Sequence, residues 1–269
     1  MTFSRKVEVG MIGFQEIDGV KIAYRVNADG LSNDRKSIVL IHGSGCDHTL
    51  WDRQFGELEQ DFNTVGVDLP GHGRSQGAGE QDVDKYVEWV RNIIEALALK
   101  KPVLTGHSLG AAISLTFAVK YGEMLSGIIP VGGGVTMPVN EAILNGIRND
   151  PAATLGFIAK FSVTKENRER FMQPLIDGMV KVRPEIIYGD FLSCDRLDIT
   201  EDIKKITVPT LLICGEDDKM TPPALSRYMV EQIPGAELAV IEGAGHFVMQ
   251  ENAEAFNNVL REFIKRIPT

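Results

Sequence analysis

The sequence predicts an α/β fold: a mostly parallel sheet with helices on both faces and an inserted helical cap. Three observations predict it. Short continuous apolar runs end in glycine, aspartate or histidine, as strands buried on both faces do. Stretches with helical apolar spacing alternate with those runs, which implies parallel strands joined by crossover helices. Between residues 132 and 198 the rhythm breaks, and only helical pieces follow one another.

Taken in order, residues 14–26 alternate around Asp18-Gly19, the signal of a hairpin. Ser37–Ile41 is a continuous apolar run that ends at His42-Gly43, and Asn63–Val67 is the next strand, ending at Asp68. Val83, Tyr86, Val87, Val90, Ile93, Ile94 and Leu97 then recur at helical spacing. A short run around Val103-Leu104 leads into Gly106-His107-Ser108-Leu109-Gly110, and the helix that follows to Tyr121 is apolar almost all round, so it is buried. Residues 125–131 read as a strand. After the break, residues 210–214 form a strand, 225–232 a helix and Glu237–Ile241 the last strand. Ala253, Phe256, Leu260, Phe263 and Ile264 mark a final amphipathic helix. The interrupting segment opens on Gly132-Gly133-Gly134 and carries helical pieces near 141–148, 154–161, 166–182 and 185–192. Four helices in a row exceed what one crossover needs. The expected organisation is a core of residues 1–131 and 199–269 with a cap of residues 132–198.

The chain has 269 residues, 43% hydrophobic and 24% charged, with a net charge of −9 and no basic block. That composition suits a globular enzyme-sized core. It argues against nucleic acid or an anionic membrane surface as the main partner. The three cysteines, Cys46, Cys194 and Cys214, have no paired spacing, so neither a disulfide framework nor a zinc site is expected. Free thiols in a reducing compartment are the simpler reading, with Cys46 in a glycine loop that could line a pocket. The N-terminus lacks the apolar core of a signal peptide, no window reaches transmembrane length, and cytoplasm is the expected location.

The chemistry centres on Ser108. A serine at a strand-to-helix bend is forced into a strained backbone conformation that only small neighbours permit. Its hydroxyl then stands clear, and the Leu109 amide points the same way from the helix N-terminus. A serine needs a base. Of five histidines, four precede the serine's helix and only His246 follows it, in the glycine-rich loop after the last strand. The base needs an acid to hold its tautomer. The strand at 210–214 ends in Gly215-Glu216-Asp217-Asp218, and only one of two neighbouring aspartates in a turn can face the histidine. Asp195 is a third candidate. An oxyanion needs two backbone donors. One is the Leu109 amide, and the other falls in the loop His42-Gly43-Ser44-Gly45, where we assign the Ser44 amide.

These motifs together resemble the α/β-hydrolases over nearly the whole chain. The order serine, aspartate, histidine is that family's order. The resemblance extends to His42-Gly43, the segment Asp68-Leu69-Pro70-Gly71-His72-Gly73-Arg74-Ser75, Val208-Pro209-Thr210 and Gly245-His246-Phe247. It implies an eight-stranded type of sheet. It makes the Asp68–Ser75 segment structural, so that His72 is not the base, and it selects Asp218 over Asp217 as the acid. Relatives with an aspartate nucleophile are disfavoured because Ser108 stands in that place.

The expectation is a serine hydrolase that cleaves a small or medium hydrophobic ester through an acyl-enzyme, with Ser108, Asp218 and His246 catalytic and with no metal or cofactor. The same residues could serve carbon–carbon bond hydrolysis, lactone opening or acyl transfer. A small-molecule receptor with slow hydrolysis is the reading from another class. The expected partner is a small-molecule substrate, and a homodimer is compatible with the chain. Phe157, Phe161, Met172, Met179 and Phe191 are candidates for an apolar wall of the pocket, although residues at such helical spacing are more often core.

Overall fold

The computed structural model describes residues 10–268. Strands β1 (Met11–Ile17) and β2 (Val20–Val26) form the expected hairpin. Its turn residues Asp18 and Gly19 both have positive φ, 50° and 76°, which matches the twist of the strands they join. Six further strands follow: β3 (Ser37–Ile41), β4 (Asn63–Val67), β5 (Val103–His107), β6 (Gly127–Val131), β7 (Leu211–Gly215) and β8 (Glu237–Ile241). All eight lie in one sheet in the order β1-β2-β4-β3-β5-β6-β7-β8. β1, β2 and β4 pair antiparallel, and every other pairing is parallel, with Leu40 opposite Thr105 and Thr105 opposite Ile129 in the middle.

Strand alternation sends neighbouring apolar residues to opposite faces. Val39 and Ile41 join one apolar cluster, against helices α2 (Val83–Ala96) and α3 (Leu109–Tyr121). Ile38 and Leu40 join another, against α1 (Asp52–Leu58) and a C-terminal helix over Ala253–Arg266. A strand apolar along its whole length is therefore one that feeds two cores. The sequence reading assigned no helix between β3 and β4, yet α1 lies there behind a short 3₁₀ turn, His48–Trp51. At seven residues α1 is too short for its spacing to stand out, although two parallel strands cannot be joined by a tight turn.

Between β6 and β7 come four helices: α4 (Glu141–Asn149), α5 (Pro151–Ser162), α6 (Arg168–Met179) and α7 (Pro184–Asp195). They bury an apolar cluster of their own around Ile147, Leu155, Ile158, Ile186 and Ile187. A single bridge between Thr136 and Asp198 ties the two ends of this segment together. The chain closes with α8 (Pro223–Gln232), the short α9 (Val248–Glu251) and α10 (Ala253–Arg266). Because the six strands from β4 to β8 in the sheet order run parallel, the loops that leave their carboxyl ends gather along one edge, where ligands bind in such sheets. Among the described residues no helix is long and apolar enough to cross a membrane.

Candidate active site

Ser108 joins β5 to α3 with φ 55° and ψ −112°. This conformation strains any residue with a Cβ. Two close backbone approaches impose it. A Cβ at Gly106 would fall 1.9 Å from the Gly110 carbonyl oxygen, and one at Gly110 would fall 2.4 Å from that of Ile41. The two glycines flanking Ser108 are thus a steric requirement of the bend. The Ser108 amide donates to the Val131 carbonyl at 2.9 Å, which fixes the bend to the end of β6.

His246 leaves the end of β8, and its backbone is held from two sides. Its amide donates to the Ser162 carbonyl of α5 at 2.8 Å, and its carbonyl accepts from His107 Nε2 at 2.9 Å. The His107 and His246 rings lie 4.6 Å apart. Burial holds the His107 pKa far below its ordinary value, with the nearby His246 acting in the same direction. His107 is therefore neutral, and the proton it donates sits on Nε2.

Of the three candidate acids, the fold brings Asp218 to the histidine. Its Oδ2 lies 2.8 Å from His246 Nδ1. Asp217 is exposed and its amide donates to the Ala244 carbonyl at 3.0 Å. Asp195 caps the chain at Val139 from the end of α7. The Asp218 carboxylate is buried and fully engaged: its Oδ1 accepts the Met220 and Thr221 amides at 2.8 and 2.9 Å, and its Oδ2 accepts the Thr221 hydroxyl at 2.9 Å. Burial alone would raise its pKa, but His246 and the Thr221 donors outweigh burial and hold it below the ordinary carboxylate value. Thr221 also stands 3.1 Å from His246 Nδ1. Sequence reasoning missed Thr221, whose signal is its place three residues after the acid, where a hydroxyl closes a turn on its own carboxylate.

The loop after β3 folds against the serine, since a Cβ at Gly43 would stand 3.2 Å from Ser108 Cβ. Residues 43–46 form a turn closed by the Cys46 amide on the Gly43 carbonyl at 3.2 Å, with Gly45 at φ +68°. Among the described residues neither the Ser44 amide nor the Leu109 amide donates a hydrogen bond. Leu109 opens α3, where the first amides have no intrahelical acceptor. The Ser108 hydroxyl and His246 Nε2 are not hydrogen bonded to each other. In unliganded sites that contact is often long and tightens on substrate.

A cleft of about 260 Å³ begins at Gly45 and Phe247, the residues next to Ser44 and His246. Phe171, Pro174, Leu175, Gly178 and Met179 of α6 form its opposite wall, and Cys46 lines it as the sequence suggested. The candidates for the apolar wall narrow to one. Of the five candidates only Met179 lines the cleft. Phe157 and Phe161 are exposed and stack on one another with ring centres 4.6 Å apart, Phe191 is buried within the four-helix cluster, and Met172 packs partly buried against the sheet-side core. Helical spacing identified an apolar stripe on these helices but could not say which neighbour it would meet. All three cysteines are free. Burial raises the Cys46 thiol far above its ordinary value and Cys194 to about 12, so neither is a ready nucleophile.

His42, His48 and His72 serve the scaffold. Asp68 Oδ1 accepts the His48 amide at 2.8 Å and pairs with its Nδ1 at 2.7 Å, while Oδ2 accepts the Arg74 amide at 2.9 Å, which ties the Asp68–Ser75 turn to the 3₁₀ turn. His42 Nε2 accepts the Leu69 amide at 3.1 Å.

Comparison with known proteins agrees with this fold. Residues 38–259 match the model of the family described as "Alpha/beta hydrolase family". A 2-hydroxy-6-oxononadienedioate/2-hydroxy-6-oxononatrienedioate hydrolase from a Pseudomonas species is 23% identical, over 96% of this chain and 98% of that protein. The non-heme chloroperoxidase CPO-A1 from Kitasatospora aureofaciens is 28% identical over 93% and 98%. Among solved structures, a thermophilic esterase superposes with a TM-score of 0.83 at 31% identity, covering 96% of this chain and 98% of its own. The enol-lactonase from Burkholderia xenovorans LB400 shares the fold, with a TM-score of 0.88 at 21% identity over 94% and 100%. The sheet order, the strained serine bend and a family match across most of the chain lead to one assignment: this protein belongs to the alpha/beta hydrolase family.

Proposed function

We propose that the protein is a serine hydrolase that cleaves a small or medium hydrophobic carboxylic ester through an acyl-enzyme. His246, oriented by Asp218, removes the Ser108 proton as the serine oxygen attacks the ester carbonyl. The Ser44 and Leu109 amides hold the resulting oxyanion. Collapse expels the alcohol, which takes its proton from His246. Water then attacks the acyl-enzyme, with His246 as base, and releases the acid and the free serine. These steps use side chains and amides alone. Residues 132–198 act as a cap, and the cleft along α6 receives an apolar portion of the substrate.

The observation that carries this reading is the hydrogen-bonded Asp218–His246 pair beside a strained serine, with two amides lacking protein acceptors. The likeness to a thermophilic esterase supports the ester as substrate. Carbon–carbon bond hydrolysis is the second reading, supported by the Pseudomonas relative of that activity. The test is cleavage of a short-chain nitrophenyl ester beside a vinylogous diketone. Ser108→Ala should remain folded and lose turnover, and full activity in that variant would refute the mechanism.

A further inference from the structure

We propose that Asp190, carried by α7, is the positioning residue of the oxyanion loop, an inference that rests on the assignment of the Ser44 amide above. The carboxylate is fully buried and receives three donors from three separate elements. Its Oδ2 accepts the Gly45 amide at 2.9 Å and His72 Nε2 at 2.9 Å, and its Oδ1 accepts the Tyr86 hydroxyl of α2 at 2.6 Å. His72 Nδ1 in turn lies 3.1 Å from the Pro70 carbonyl oxygen. Both ring nitrogens thus face acceptors, and only an imidazolium with two N–H groups satisfies both. The group on Asp190 is therefore a buried ion pair closed by two neutral donors.

The geometry acts on the turn of residues 43–46. A turn with positive φ at its third residue has a close alternative in which the central peptide is flipped. In this turn the central peptide joins Ser44 to Gly45, and its N–H is the one that Asp190 receives. The bond holds the Ser44–Gly45 peptide in one of the two turn forms and anchors to α7 the turn that carries the Ser44 amide. Because Asp190 belongs to the helical segment, the placement of α7 and the shape of the oxyanion site are coupled.

Asp190→Asn keeps the size of the side chain but has a single acceptor oxygen and an NH₂ that itself donates, so it cannot receive all three partners. Per folded molecule, kcat on a nitrophenyl ester should fall about 10²-fold with KM changed less than about threefold. Affinity for a trifluoromethyl ketone, which becomes an oxyanion on the serine, should fall in parallel, while affinity for the carboxylic acid product should not. An unchanged kcat and ketone affinity, or a loss confined to KM, overturns the proposal. Tyr86→Phe removes one donor without adding a new one and serves where the asparagine variant does not fold. It should lower kcat and ketone affinity together by about three- to tenfold, and no change in either would likewise overturn the proposal. Ser108→Ala in the same assay separates the two claims: hydrolysis at the wild-type rate in that variant would refute the serine mechanism itself, whatever Asp190 does.

Discussion

Ser108 occupies backbone space that costs a non-glycine residue about 1–3 kcal/mol. Ser108→Gly should relieve that strain at the expense of chemistry. The variant is expected to be inactive and to unfold in urea with a free energy about 1 kcal/mol above wild type, the added freedom of glycine in the unfolded chain offsetting part of the gain. Thr221 supports the candidate acid, donating to Asp218 Oδ2 at 2.9 Å. Thr221→Val keeps the shape and deletes the donor, so kcat should fall about three- to tenfold while the protein stays folded, as read by steady-state kinetics. The bend at Ser108 was legible because glycine, serine and glycine at a strand end describe a local backbone event. His246 stood out as the candidate base by elimination. Between Asp217 and Asp218 the residues alone left the choice open and the family resemblance favoured Asp218; in the fold Asp218 is buried against a histidine 28 residues away, while Asp217 is exposed.

At the scale of elements, strand positions were legible wherever the strand is buried on both faces, since an unbroken apolar run has few other uses. Each short run of this kind from β3 to β7 lies where the sequence indicated, to within two residues at either end. Helix α1 escaped because seven residues show barely two turns of pattern. The helices α4 to α7 were legible as helices, but their partners were not. α6 turns Phe171, Leu175 and Met179 toward the cleft, while α5 leaves Phe157 and Phe161 exposed. Gly178 lines that cleft, and a Cβ there would meet nothing within 4 Å. Gly178→Leu should therefore fill the cleft without displacing the backbone. We expect kcat/KM for eight-carbon acyl esters to drop at least about tenfold with two-carbon esters little affected. Removal of a helical glycine should add about 0.5–1 kcal/mol of stability, read by thermal denaturation.

In the whole molecule, all five histidines are buried, and they divide by charge state. Burial, reinforced by the charge of His72, lowers the His42 pKa from 6.5 to about 4, and His107 lies far below its ordinary value for the same first reason. His48 and His72 go the other way: burial opposes their charge, but Asp68 and Asp190 outweigh it and raise them. Below pH 6.5 the unfolded chain binds protons at His42 and His107 that the folded chain refuses, so stability must fall with acidification. Two such sites give a slope of about 2 kcal/mol per pH unit between pH 6 and 5. For His48 and His72 the stabilisation is full below the ordinary histidine value and is lost as pH rises through their raised values. Stability should therefore peak near neutral pH and decline on both sides, and urea denaturation across pH 5–9 would show it. A flat profile from pH 6 to 5 would contradict the neutral state of His42 and His107. The same scale joins the helical segment to the loop that carries His246. Glu251 of α9 accepts the Gly245 amide at 2.9 Å with one oxygen and the Thr164 amide at 2.9 Å with the other, a second carboxylate that links the segment to the His246 loop.

The linear pattern of residues indicated the α/β class, the strand and helix sequence apart from α1, the serine bend and the candidates for base and acid. Each of these depends on interactions between near neighbours: side-chain alternation, helical spacing, glycines that permit a tight bend. Packing decided the rest. It set Asp218 against His246 with Thr221 on the same carboxylate, placed α6 rather than the exposed phenylalanines along the cleft, and brought Asp190 to Gly45 across 145 residues of chain. A buried carboxylate is tolerated only where donors converge on it, and convergence is a property of three-dimensional neighbours that no local pattern records.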